Sequence, residues 1–150
     1  MNRVTLSLSK IEIAVIQLDR AIKLFFDEKD YISSITLAGA AEEIFGKLLN
    51  NKNESINNAL EEIIDTTIKF CKESSNEEVK KKDIVSLANH YRDHCKHIRN
   101  GEVLNFSVDF EAAHLIDRAS ENYFKLTGFE TEYMLKFRES KYFPTSWVDI

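Results

Sequence analysis

Proline occurs once in 150 residues, at position 144, and glycine only four times. Strand-rich folds consume both in their many turns, so this scarcity argues for a few long helices. Two cysteines, Cys71 and Cys95, form neither a CxxC pair nor a dense framework, which suits a reduced, cytoplasmic chain. Charges recur so often that no stretch approaches the ~18 apolar residues of a membrane span. Lys10 and Glu12 interrupt the apolar N-terminal stretch and no small-residue cleavage site follows, so neither a leader nor a membrane partner is expected. A GxxxxGK[ST] phosphate loop is absent as well.

What remains has the balance of a globular domain, with 43% hydrophobic and 30% charged residues. The length fits one unit over 1–150, with a helical core at about 10–127 and a C-terminal helix and aromatic tail at 130–150. Apolar spacing predicts five to six helices. Ile11, Val15, Leu18, Ile22 and Phe25 recur on one face of a first helix over 9–28. Asp30 caps a second, reaching about 50, with Leu37, Ala41, Ile44 and Leu48 as its stripe. Its small run, Ala38-Gly39-Ala40-Ala41, predicts a tight packing seam and a central position. Ser55 is expected to cap a third helix carrying Ile56, Leu60, Ile63 and Phe70. A fourth runs from 77 to 99 and stops at Asn100-Gly101. A fifth, opened by Ser107 or Asp109 and closed by Gly128, turns Ala112, Leu115, Ala119 and Tyr123 inward. The sixth covers 130–140. The expected architecture is an all-α, mostly antiparallel bundle.

The formal net charge of −5 is unevenly spread. Between Val79 and Gly101 stand Lys80, Lys81, Lys82, Arg92, Lys96 and Arg99 against Asp83 and Asp93, so that segment is +4 and the rest −9. His90, His94 and His97 lie there too. On a continuous helix at about 100° per residue, Ile84, Leu87, Ala88, Tyr91, Cys95 and Ile98 form the core face. The three histidines line one shoulder of it, and Arg92, Lys96 and Arg99 the other. Asp93 stands one turn before His97, within reach of its ring.

Two chemistries compete for this helix. Histidines at i, i+4 and i+7 suit a metal such as Zn or Fe, which makes His90, His94 and His97 an alternative ligand set. Only one Glu-x-x-His pair, Glu111 and His114, stands elsewhere to complete it. The run Arg92-Asp93-His94-Cys95-Lys96-His97 reads R-[polar]-x-x-x-H and resembles the signature of the HEPN superfamily. These are small all-α bundles, many of them metal-independent endoribonucleases of toxin–antitoxin, abortive-infection and CRISPR systems. The string from Leu37 to Leu49, LAGAAEEIFGKLL, is similar to the second helix of small bacterial proteins of this kind.

The resemblance implies an enzyme without cofactor that cleaves RNA through attack of the neighbouring 2′-OH. Such chemistry needs a base, an acid and positive charge beside the phosphorane. His97 would handle protons, Arg92 would contact the scissile phosphate, and Asp93 would orient the imidazole. Lys96, Arg99 and His90 would add phosphate contacts. On a straight helix Arg92 and His97 diverge by about 140°, so the resemblance also implies a homodimer whose two motifs share one cleft. An antitoxin-type protein is the natural further partner. A non-catalytic module that binds nucleotide or protein is the alternative function. Simpler roles stand beside these: His94 and His114 as structural residues, Lys80 to Lys82 as a solvated helix start, and Glu42 and Glu43 facing solvent, with a polar contact from Glu42 to the motif helix as the alternative. Tyr142, Phe143 and Trp147 would cover the end of the bundle, and Arg92 and Asp93 would form an ordinary exposed pair.

Overall fold

The computed structural model describes residues 2–52, 56–97, 101 and 103–142. Its regular structure is helical throughout, as the apolar spacing predicts, with seven α-helices and one π turn among the described residues. Helix α1 (Lys10–Lys23) begins at a reciprocal cap. The Glu12 N–H donates to Ser9 Oγ at 3.2 Å and the Ser9 N–H donates to Glu12 Oε2 at 2.7 Å, closing two donors that a helix start leaves open. Leu18 and Ile22 of the expected stripe are buried, with Ile11 and Val15 packed half-buried beside them. A π turn (Leu24–Glu28) follows, in which Phe25 meets Phe26, Tyr31 and Tyr142 edge to face.

Helix α2 (Tyr31–Lys52) opens with the Ser33 N–H donating to Asp30 Oδ1 at 3.1 Å, the expected cap. It folds back along α1, where Ser34 Oγ donates to the Ala21 carbonyl at 2.9 Å. On its other side lies α6 (Val108–Thr127). Ile35, Ala38, Ala41, Phe45 and Leu49 are all buried, which makes α2 the central helix. Burying each large apolar side chain contributes about 1.5–3 kcal/mol. Leu115, Arg118, Asn122 and Leu126 of α6 meet Gly39, Glu42, Gly46 and Lys52 of α2 in the same order. The two central helices are therefore parallel, unlike the antiparallel α1 and α2, because three helices separate them in the chain.

Helix α3 (Ala59–Ser75) starts later than expected. Its cap is Asn58, whose Oδ1 accepts from the Glu61 N–H at 2.9 Å, while the Ala59 N–H donates to Asn122 Oδ1 at 2.7 Å. Ile56 thus precedes the helix instead of belonging to its stripe. A larger correction concerns the expected helix over 77–99. The chain is irregular to Lys80, forms α4 (Lys81–Ala88), breaks at Asn89 and resumes as α5 (His90–Lys96). The cause is a buried guanidinium. Arg118 Nη2 donates to Asn89 Oδ1 at 3.1 Å and Nη1 approaches the Ala88 carbonyl at 3.4 Å, drawing both groups towards α6. Within α4 Ile84 is buried but Leu87, expected in the core, is 77% exposed.

Gly128, in the left-handed region at φ +75°, ends α6 as expected. Helix α7 (Glu132–Arg138) is capped by Thr131, which also donates to Asp19 Oδ1 at 2.6 Å, and it buries Met134 and Phe137. Among the described residues no helix is long and apolar enough to cross a membrane. Ser55, Ile98, Arg99, Asn100 and the tail with Phe143 and Trp147 lie outside the described residues.

Candidate functional site

The motif helix α5 crosses α2 at Gly39. A Cβ at position 39 would stand 2.6 Å from Arg92 Cδ and 2.8 Å from Cγ, so the glycine makes room for the stem of Arg92. The small run of α2 is the packing seam expected of it, and its partner is a motif residue. Arg92 is not on a solvated shoulder: its side chain is 12% exposed. Its Nε donates to Asp93 Oδ1 at 3.0 Å, and Nη1 lies 3.4 Å from Glu42 Oε2.

Glu42, expected to face solvent, is 4% exposed. Its Oε1 accepts from Arg118 Nη2 at 2.8 Å. Arg118 is the largest fully buried side chain, and its Nε finds no acceptor among the described residues. Two guanidinium groups thus share one buried carboxylate, with Asn89 and Asp93 completing the cluster. Buried charges persist only when paired and hydrogen-bonded, and this arrangement pairs both guanidinium groups and bonds them at all but the Arg118 Nε among the atoms named.

Around the cluster the surface is mixed in sign. Lys47 donates to Glu43 at 2.7 Å and holds that carboxylate below its ordinary range, with Arg92 and Lys96 adding to the effect. Lys96 and His97 are exposed. His97 has already left the helix, with φ −124° and ψ 135°, and only its backbone N–H reaches back, to the Asp93 carbonyl at 3.2 Å. The Asp93 carboxylate is engaged by Arg92 instead of the His97 ring. The 140° divergence of a straight helix therefore does not apply to this pair, because the extended backbone at residue 97 releases its side chain from the helical register.

The remaining motif residues lie on the opposite side of α5. His94 Nδ1 is 2.7 Å from the His90 carbonyl, and the two rings meet tilted by 39° with centroids 4.0 Å apart. His90 also meets Tyr91, which stacks on Phe106 at 4.4 Å. His90, the expected phosphate contact, thus stands apart from Arg92, and Arg99 lies outside the described residues. The alternative metal set of His90, His94 and His97 does not converge. No group of three or more His, Cys, Asp or Glu side chains among the described residues gathers to hold a metal ion.

On α6, burial and the charge of Arg118 hold His114 down at about 4, so it is neutral at physiological pH. Burial, with Glu121 nearby, pushes Asp117 up to about 6. Burial also raises Glu111 and the Cys95 thiol, the latter helped by Glu111.

Sequence reasoning missed Arg118, Asn89 and Lys47, and placed Glu42 first in solvent, with the contact to the motif helix that it makes through Arg92 as the alternative. One signal was present: Arg118 and Asn122 fall at i+3 and i+7 from the inward Leu115, a polar row inside an apolar face. No protein-family model, curated protein or solved structure matches this chain.

Proposed function

We propose that the chain is a HEPN-like, metal-independent endoribonuclease whose site is built around Arg92 and His97. The observation that carries this reading is the shape of the chain at the motif. Arg92 is held over Gly39 by Asp93, with Glu42 3.4 Å away, while His97, five residues on, sits exposed on extended backbone beside Lys96. A fixed cation and an accessible imidazole are what cleavage through a 2′-OH requires. The base takes the 2′-OH proton as that oxygen bonds to phosphorus, and the acid protonates the 5′-oxygen as its bond to phosphorus breaks. The products carry a 2′,3′-cyclic phosphate and a 5′-hydroxyl. Arg92 and Lys96 stabilise the charge that develops on the phosphorane. One such imidazole per chain leaves the second proton transfer to a second copy, so the reading includes a homodimer with the two motifs in one cleft. A cytoplasmic setting accords with Cys71 and Cys95, both free thiols. An antitoxin-type protein would cover the same cleft.

The test is incubation of the purified protein with single-stranded RNA in EDTA. The expected result is cleavage that His97→Ala and Arg92→Lys abolish while both variants keep the size of the wild-type oligomer. Equal cleavage by both variants overturns the assignment. A second reading, a non-catalytic module that binds nucleotide or protein, draws on the low exposure of Arg92 and its two carboxylate neighbours. Its mark would be saturable nucleotide binding with no cleavage at all.

A further inference from the structure

Among the described residues, Arg118 is the one charged side chain that touches both the partner of Arg92 and the origin of the helix that carries it. Its Nη2 lies 2.8 Å from Glu42 Oε1, whereas Arg92 Nη1 lies 3.4 Å from Glu42 Oε2. The first is a short charge-assisted bond and the second falls outside that range, so the negative charge of Glu42 is taken mainly by Arg118. The same guanidinium reaches Asn89 Oδ1, where α5 begins. Arg92 is left with Asp93 as its close partner, a carboxylate 41% exposed and therefore well screened.

We infer that Arg118 is a positioning residue for the Arg92–His97 site: it occupies the charge of Glu42 so that Arg92 stays on Asp93, with charge to offer a phosphate. The inference rests on the nuclease reading for its functional consequence, but not for its geometry. Without Arg118, the buried Glu42 carboxylate has Arg92 as its remaining cation. It would then draw that guanidinium inward, off Asp93.

The Arg92 Nε–H resonance, assigned through Arg92→Lys in protein labelled with nitrogen-15 arginine, reports this directly. In Arg118→Met the signal should shift and lose protection from solvent exchange. RNA cleavage should fall about tenfold in kcat with KM nearly unchanged, since a displaced cation costs most in the transition state. In the double variant Arg118→Met/Glu42→Gln no charge remains to draw Arg92 inward, so signal and kcat should both return towards wild type. A merely structural role would not give that recovery. An unmoved signal in folded Arg118→Met, or a displaced one in the double variant, overturns the inference. Should Arg118→Met fail to fold, the double variant, which holds no unpaired buried charge, still decides. If the wild type cuts no RNA, the nuclease reading fails, and the resonance still tests the positioning.

Discussion

Glutamine at position 42 keeps the shape of the side chain and removes its charge, which isolates what that charge does in the core. Glu42 is 4% exposed and Arg118 fully buried, with 2.8 Å between their polar atoms. Removing one member of a buried ion pair costs about 3–5 kcal/mol, because the partner keeps its desolvation penalty without its counter-charge. Arg92 softens the loss little, since its own close partner is Asp93. The substituted amide can still accept one hydrogen bond, so Glu42→Gln should lie near the lower end, about 3 kcal/mol, and Glu42→Ala nearer about 5 kcal/mol. Against a total stability of about 5–15 kcal/mol for a domain of this size, either loss is large. Urea unfolding at constant m-value measures it. Joint replacement, Glu42→Met with Arg118→Met, should recover most of the loss, since an apolar pair leaves no charge buried alone. A Glu42→Gln stability within about 0.5 kcal/mol of wild type, the usual range for a surface substitution, would refute the account of the buried cluster.

Other consequences follow from the same geometry. Gly39→Ala gains about 1 kcal/mol of helix propensity but forces the Arg92 stem aside at a cost of about 1–3 kcal/mol. The net effect should be a lower urea midpoint, and an unchanged or raised one would contradict the seam. Ser9→Ala removes the reciprocal cap of α1 and should cost about 1 kcal/mol in thermal unfolding. His114 is neutral in the folded state down to about 4, so the unfolded chain takes up its proton first. As pH falls from about 6.5 to 4, wild type should lose about 3 kcal/mol relative to His114→Gln. Asp117 works in the opposite sense, because its carboxyl is pushed up to about 6. As pH rises from about 4 to 6, wild type should lose about 3 kcal/mol relative to Asp117→Asn. Urea titrations across that window read both slopes, and parallel curves for wild type and variant would remove the corresponding burial argument.

Local rules account for much of the fold. The stripe of Leu18 and Ile22, the cap at Asp30, the terminator Gly128 and the small run at Gly39 each act through neighbours one or two turns away. Their patterns can therefore be read from the chain itself. The break at Asn89 has no such local sign. The apolar spacing runs on through Leu87 and Tyr91, and the groups that interrupt the helix turn towards Arg118, 29 residues away. One break puts α4 and α5 out of the phase that a continuous helix assumes, and Leu87 is exposed while Tyr91 stacks on Phe106. Glu42 and Arg118 each look like ordinary surface charges, and only the parallel course of α2 and α6 brings them together. In the motif, the types Arg, Asp and His are legible. What is not legible is that Asp93 bonds to Arg92, and that residue 97 has left the helix.

The chemistry of the RNA ends made in EDTA tests the central claim most directly. The account predicts fragments bearing a 2′,3′-cyclic phosphate and a 5′-hydroxyl, formed by wild type and not by His97→Ala. Ends bearing a 3′-hydroxyl and a 5′-phosphate, formed only when a divalent metal is restored, would contradict it.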